Sequence, residues 1–306
     1  MKNKKKILIV GGTGFIGYHL AKKSLNKGWK VFSVSTKKPK KIRHLSKVKY
    51  IICDITKKNI LKKKIKLKFD YVVNLGGYVD HSDKGKTFKS HYLGCKYLTE
   101  IFLKNPPKRF IQMGSSVEYG HHRSPQKETL KCRPGSIKSI YGKAKLLSTN
   151  HLLKLYKQNQ FPCTILRLYL SYGPKQDINR FIPIIITSCL KNKNFLCSEG
   201  KQFRDFIYID DVINAIFKSL KNNKAKGMVF NLASGKPIQI KKIIEKIKNL
   251  IKSGTPQYGK IKLRKDEILK LYPSIKKIQK TLSWKPKTSF EKGLKKTIKF
   301  YNQSVR

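Results

Sequence analysis

Over the first 170 positions, short β-branched runs alternate with longer stretches whose apolar residues recur at helical spacing. The runs 6–10 (KILIV), 30–34 (KVFSV), 49–52 (KYII), 70–74 (DYVVN), 109–113 (RFIQM) and 163–168 (CTILRL) read as strands. Helices are predicted between them, notably over 15–27, 86–104 and 137–158. Strand–helix alternation of this kind predicts an α/β fold, a parallel sheet wrapped by helices on both faces. Beyond residue 170 the pattern loosens, and Pro174, Pro183, Pro237, Pro256, Pro273 and Pro286 punctuate shorter elements. A main domain over 1–170 with a smaller lobe over 171–306 follows, the run 227–232 (GMVFNL) returning to the main sheet as a late strand. No internal repeat and no long low-complexity linker separates the two.

Composition changes this picture little. The chain has 306 residues, of which 39% are hydrophobic and 10% aromatic, enough to build a core at this length. Its 70 Lys+Arg against 16 Asp+Glu give a formal charge of +54, which raises the question of a polyanionic partner. The lysines are spread along the whole chain, with neither a basic arm nor zinc-finger spacing nor an aromatic-interleaved RNA-binding signature. Abundant Lys, Ile and Asn fit codon drift at tolerant surface positions, so no specific nucleic-acid partner is expected. Cys53, Cys95, Cys132, Cys163, Cys189 and Cys197 are scattered without a C-x-x-C pair, as expected for reduced thiols in the cytoplasm. After the basic start only Ile7 to Val10 are apolar before glycine intervenes, too short for a secretory segment. No apolar stretch approaches the roughly 18 residues of a membrane span. His121 and His122 lack carboxylates at ligand spacing, so no metal site is expected.

Chemistry enters directly after the first strand, with Gly11-Gly12-Thr13-Gly14-Phe15-Ile16-Gly17. Glycines there let the backbone turn tightly and approach a pyrophosphate, while the next helix aims its free N–H groups and positive dipole end at the phosphates. With a strand before and an amphipathic helix after, this is the dinucleotide signature of a Rossmann-type doubly wound sheet. NAD specificity usually shows as an acid closing the second strand, yet the chain reads Val34-Ser35-Thr36-Lys37-Lys38. The missing acid, with Lys37, Lys38 or Arg43 available to a 2′-phosphate, favours NADP over NAD as cofactor.

Tyr-x-x-x-Lys occurs at Tyr18, Tyr92, Tyr141, Tyr258 and Tyr272 in so lysine-rich a chain, and context selects Tyr141 with Lys145. That pair opens a long helix and lies 26 residues after Ser115, in the segment Gly114-Ser115-Ser116-Val117-Glu118-Tyr119-Gly120 that ends the fifth strand. On a helix, i and i+4 share a face, so the ammonium favours tyrosinate and makes the phenol a usable general acid/base. The serine hydroxyl can hydrogen-bond the oxygen whose proton the tyrosine exchanges.

These motifs resemble the extended short-chain dehydrogenases/reductases, the NAD-dependent epimerase/dehydratase family acting on nucleotide sugars. The resemblance covers nearly the whole chain, through Asp54-Ile55, 167–174 (RLYLSYGP), 180–183 (RFIP), 204–211 (RDFIYIDD), 231–235 (NLASG) and 282–286 (LSWKP). It implies Ser115, Tyr141 and Lys145 as the catalytic set, with Tyr141 and Lys145 also touching the cofactor. Gly11, Gly14, Phe15, Ile16, Gly17, Ser35, Lys37, Asp54 and Ile55 would complete the cofactor site. Arg204 and Arg264 would clamp the substrate diphosphate, Glu267 would reach its ribose and Ser116 would line the substrate site. The 171–306 segment would then be mainly the substrate-binding lobe, and helices around 86–104 and 137–158 would pair in a homodimer.

Departures refine the expectation. Leu170 and His91 stand where the family commonly has Asn. Dehydratases of the family carry Asp-Glu directly after the catalytic Ser/Thr, whereas this chain has Ser116-Val117, so dehydration is not expected. The resemblance leaves a C4 ketoreductase of NDP-4-keto-6-deoxyhexoses, favoured by the missing acid, and an NDP-sugar 4-epimerase with tightly bound NAD. A non-catalytic dinucleotide-binding regulator or RNA-associated protein is the reading from another class. Glu118 and Asp80 are further candidates for the sugar pocket, and the loop 120–136 is long enough to form its rim.

Overall fold

The computed structural model describes residues 4–78, 80, 82–263 and 267–305. Its strands are β1 (Lys6–Val10), β2 (Lys30–Ser35), β3 (Val48–Ile52), β4 (Tyr71–Asn74), β5 (Arg109–Ser115), β6 (Cys163–Leu168) and β7 (Leu170–Tyr172). They continue as β8 (Asn194–Leu196), β9 (Phe203–Tyr208), β10 (Met228–Leu232), β11 (Pro237–Gln239), β12 (Thr255–Gln257) and β13 (Lys270–Leu271). The helices are α1 (Phe15–Asn26), α2 (Lys58–Lys64), α3 (Lys84–Phe88), α4 (Gly94–Leu103) and α5 (Ile140–Asn159). After them come α6 (Phe181–Leu190), α7 (Ile209–Lys221), α8 (Ile240–Ile251), α9 (Lys276–Leu282) and α10 (Phe290–Val305).

Seven strands form one sheet in the order β10-β6-β5-β4-β1-β2-β3, and every neighbouring pair is parallel. Alternate strand residues point to opposite faces. Ile7 and Ile9 join one apolar cluster with Leu20 of α1 and Ile213 of α7, while Leu8 and Val10 join another with Leu98 of α4 and Leu152 of α5. Both faces are therefore covered, as a parallel sheet requires. The strand order reverses between β1 and β4, which opens a crevice outside their carboxyl ends.

The run 227–232 does return, as β10 beside β6. Two predicted helices differ in detail. The helix expected over 137–158 starts at Ile140, because the Ser139 hydroxyl accepts from Gly142 N (3.0 Å) and caps it there. The helix expected over 86–104 is α3 and α4 joined by a π-helical turn, Lys89–Leu93. Widened turns of this kind often mark functional sites, and this one presents His91.

The rest of the chain builds a second sheet from β11, β9 and β13, with β7 paired to β9, and a two-stranded ribbon of β8 and β12. Its apolar residues, among them Ile207, Ile243 and Leu294, belong to the same cluster as Ile7 and Ile9. The loop 120–136 is pinned by Gln126, which is fully buried. Gln126 N donates to Tyr272 O (3.0 Å), its carbonyl accepts from Ser274 N (2.9 Å), and its side chain accepts from Tyr169 Oη (2.6 Å).

Candidate active site

The glycine turn lies at the switch point. Gly11 has φ +77°, in the left-handed region that favours glycine, and its N–H donates to Val34 O (2.7 Å). A Cβ on Gly17 would come within 2.3 Å of Gly11 O, so glycine there lets α1 sit directly against the turn. Gly14 is the N-cap of α1 and supplies no side-chain cap, and no acid occupies the first helical turn. The N–H groups opening α1 at Phe15 and Ile16 therefore face the crevice as an anion site. The Phe15 ring itself packs edge-on against His19.

Beside this turn is a cavity of about 600 Å³ lined by Gly11, Gly14, Ser35, Asp54, Ile55 and Gly76, among others. Asp54 Oδ1 accepts from Thr56 N (2.8 Å), which orients the carboxylate at the end of β3. Ile55 is buried beneath Gly94, where a Cβ would lie 2.5 Å from its Cδ1. Ser35 closes β2 and its Oγ accepts from Thr13 N (3.4 Å), while Lys37 is exposed just beyond. Arg43, a candidate for a 2′-phosphate, is turned away: its Nη2 lies 2.8 Å from Asp177 and its Nε donates to Lys175 O (3.0 Å). A dinucleotide fits this cradle of glycines, free helix N–H groups and the Asp54 carboxylate.

At the end of β5, Ser115 and Ser116 are nearly buried. Tyr141 and Lys145 stand on the first turns of α5, which approaches the 116–119 turn closely because Gly142 has no Cβ; one would lie 2.9 Å from Val117 O. Lys145 is buried and its Nζ donates to Met113 O (2.7 Å), fastening α5 to β5 two residues before Ser115. The same Nζ is 5.8 Å from the Tyr141 ring centroid. His91 packs edge-on against Tyr141 at 4.8 Å between centroids, in space left by Gly77, where a Cβ would meet the imidazole at 1.8 Å. The sequence marked His91 as a departure but gave no hint of this contact, since it depends on the π turn.

The substrate candidates fare differently. Arg204 is held by Glu267 and by Phe203 O (2.9 Å), so it does not pair with Asp205, Asp210 or Asp211. Asp205 instead accepts from Ser234 N (2.7 Å) and Gly235 N (2.8 Å), and its burial raises its pKa against those bonds. Asp211 accepts from Lys287 N (2.9 Å) and Thr288 N (3.0 Å). Arg264 lies outside the described residues. Asp80 lines the dinucleotide cavity. Glu118 is not in a sugar pocket: it is fully buried behind Ser115, in an ion pair with Arg167 (2.9 Å). The sequence spacing placed it correctly on the turn but could not say that it points inward.

Fold and crevice together define an α/β enzyme built around a dinucleotide. The chain belongs to the NAD dependent epimerase/dehydratase family, whose model matches residues 7–233. Among its relatives is a CDP-abequose synthase of Salmonella muenchen, 27% identical over 328 residues that cover 96% of this chain and 97% of that one. A putative UDP-glucose 4-epimerase of Methanocaldococcus jannaschii is likewise 27% identical, covering 98% and 99%. Among solved structures, the UDP-glucose 4-epimerase of Thermotoga maritima with UDP-glucose superposes with a TM-score of 0.91 at 24% identity, over 98% of this chain and all of that one. The fold is thus that of the family from end to end. Among the described residues, no helix is long and apolar enough to cross a membrane.

Proposed function

We propose that the protein is a reductase that takes hydride from NADPH to C4 of an NDP-4-keto-6-deoxyhexose. The observation that carries this reading is the crevice chemistry at two points. Ser35 and Thr36, not an acid, close β2 at the cavity wall, and the only carboxylate of the Ser115 turn, Glu118, is sealed against Arg167. The first feature favours a 2′-phosphate, with Lys37 nearby as its cation. The second leaves the turn without an acid for water elimination, so carbonyl reduction is the simpler chemistry.

In this mechanism the bound dinucleotide supplies the hydride. Tyr141 protonates the carbonyl oxygen, and Ser115 polarises it through a hydrogen bond. Lys145, whose Nζ lies 5.8 Å from the Tyr141 ring centroid, holds the nicotinamide ribose. Arg204 and Arg264 bind the diphosphate, since a planar guanidinium meets phosphate oxygens with two parallel bonds and keeps its charge. Ser116, directly after β5, and Glu267, in the 171–306 lobe, complete the substrate site. We further propose a cytoplasmic homodimer formed through the helices near 86–104 and 137–158.

Purified protein with NADPH and a CDP- or dTDP-linked 4-keto-6-deoxyhexose should lose absorbance at 340 nm, with a lower KM for NADPH than for NADH. Tyr141→Phe should abolish that turnover while cofactor binding persists. No oxidation, together with tightly retained NAD, would replace this reading by a 4-epimerase, the activity named for the Methanocaldococcus jannaschii relative. Salt-sensitive RNA binding without sugar-nucleotide turnover would replace it by a non-catalytic role.

A further inference from the structure

Glu118 is 0% exposed, and a carboxylate without water costs several kcal/mol unless charged partners and hydrogen bonds offset the loss. Three donors do so. Ser115 N donates to Oε1 (2.8 Å), while Thr149 Oγ1 (2.8 Å) and Arg167 Nε (2.9 Å) donate to Oε2. Each donor comes from a different element: the end of β5, the buried face of α5, and β6. On α5, Tyr141, Lys145 and Thr149 follow at steps of four residues and so share a face. One carboxylate therefore joins the backbone of Ser115 to the helix that carries Tyr141 and Lys145.

The local geometry follows from this anchor. Ser115 and Glu118 form a reciprocal capping box around the 3-10 turn Ser116–Tyr119, in which Ser115 Oγ accepts a long hydrogen bond from Val117 N (3.5 Å). With that oxygen accepting from the turn's own N–H, the hydroxyl proton remains available to donate elsewhere. Gly114 is required by the same arrangement, because a Cβ there would lie 2.5 Å from Glu118 Oε1. Arg167 stacks on Tyr119 with 4.4 Å from its guanidinium carbon to the ring centroid, and Tyr119 Oη donates to Asn231 Oδ1 (2.7 Å). These contacts hold the guanidinium in place, so the carboxylate they neutralise acts as a fixed post.

We infer that Glu118 is a positioning residue: through Ser115 N and Thr149 it sets the Ser115 hydroxyl relative to Tyr141 and Lys145. The inference rests on the reductase reading for its kinetic arm only. It is distinct from a merely stabilising ion pair, which would alter unfolding without altering kcat in folded protein.

The test compares Glu118→Gln, Thr149→Val and Thr149→Ser with the wild type. Glu118→Gln should lower kcat at least tenfold and Thr149→Val about fivefold, the scale expected when a reacting group is displaced by a fraction of an ångström. KM for the nucleotide sugar and cofactor Kd should stay within about twofold, and Thr149→Ser, which keeps the hydroxyl, should recover wild-type kcat. Amides of 115–119 should exchange with deuterium faster in Glu118→Gln and Thr149→Val than in the wild type, whatever substrate the enzyme uses. Unchanged kcat in folded Thr149→Val, or unchanged exchange over 115–119, overturns the inference. If Glu118→Gln does not fold, the two Thr149 variants decide it. If the wild type turns over no keto sugar, the reductase reading fails and the exchange measurement decides the role of Glu118.

Discussion

Two guanidinium–carboxylate pairs, one behind Ser115 and one on β9 of the second sheet, differ in almost everything but composition. The Glu118–Arg167 side chains are 0% and 5% exposed, whereas those of Arg204 and Glu267 are 12% and 21% exposed. Burial alone would lower the Arg167 pKa, but the Glu118 charge and Tyr119 outweigh it and hold it above the ordinary arginine range. A sealed pair has no exchange partner and can only fix geometry. A partly exposed pair, on β9 of the second sheet, can surrender its arginine to a stronger anion. The same two residue types thus suit a scaffold in one place and, on the function proposed above, a diphosphate in the other, with solvent access separating the roles.

Breaking the sealed pair should give the largest effect. Arg167→Met leaves Glu118 buried without its charge partner, and unfolding measurements should show a loss of about 3–5 kcal/mol. Adding Glu118→Leu should restore much of that stability, because two apolar groups replace two desolvated charges. A loss below about 1 kcal/mol in the single variant would mean that water reaches the pair.

Arg204→Ala should separate the two regions most clearly. Stability should change by less than about 1 kcal/mol, while KM for the nucleotide sugar rises tenfold or more, the ~1.5–3 kcal/mol of a hydrogen bond to a charged group. Equal loss of stability and binding would make the Arg204–Glu267 pair a second structural post. Glu267→Gln keeps a hydrogen-bonding side chain for the proposed ribose contact, so KM should shift by no more than about threefold and stability by under ~1 kcal/mol.

The smallest effect concerns a third contact, between the loop after β2 and the loop after β7. Partial burial by itself would lift the Asp177 pKa, but hydrogen bonds from Lys40 and Arg43 hold it below the ordinary 3.8. A carboxyl with a depressed folded pKa contributes stability above its unfolded value and loses it as pH falls through the folded one. Asp177→Asn should therefore cost up to ~1 kcal/mol near neutral pH, after allowance for solvent screening, and nothing in strong acid. A cost that persists at pH 2 would show that the contact is not electrostatic.

The strands of the first half were legible because each is a short apolar run bounded by polar or glycine residues. In β1, the apolar run 7–10 between Lys6 and Gly11 is the plainest case. The glycine turn was legible for a related reason: its chemistry is local, one strand, one turn and one helix start. Less could be read beyond residue 170, where three-residue strands such as Leu170–Tyr172 pair with partners far along the chain. Arg43 illustrates the limit. Its position after the second strand made it a cofactor candidate, and only the approach of Asp177, 134 residues later, turns it into a clamp.

The sequence by itself determined the family, the alternation that builds the doubly wound sheet, and the presence of Ser115, Tyr141 and Lys145 on elements that must meet. Those follow from periodicities and motifs each of which is contained in a short segment of the chain. The tertiary structure decided which charges are sealed and which are free. Glu118 points behind Ser115, His91 reaches Tyr141 through a π turn, and Arg204 faces Glu267 instead of its neighbour Asp205. Exposure and partner choice depend on what distant segments pack against a side chain. No local pattern encodes that, and a lysine-rich surface hides it further.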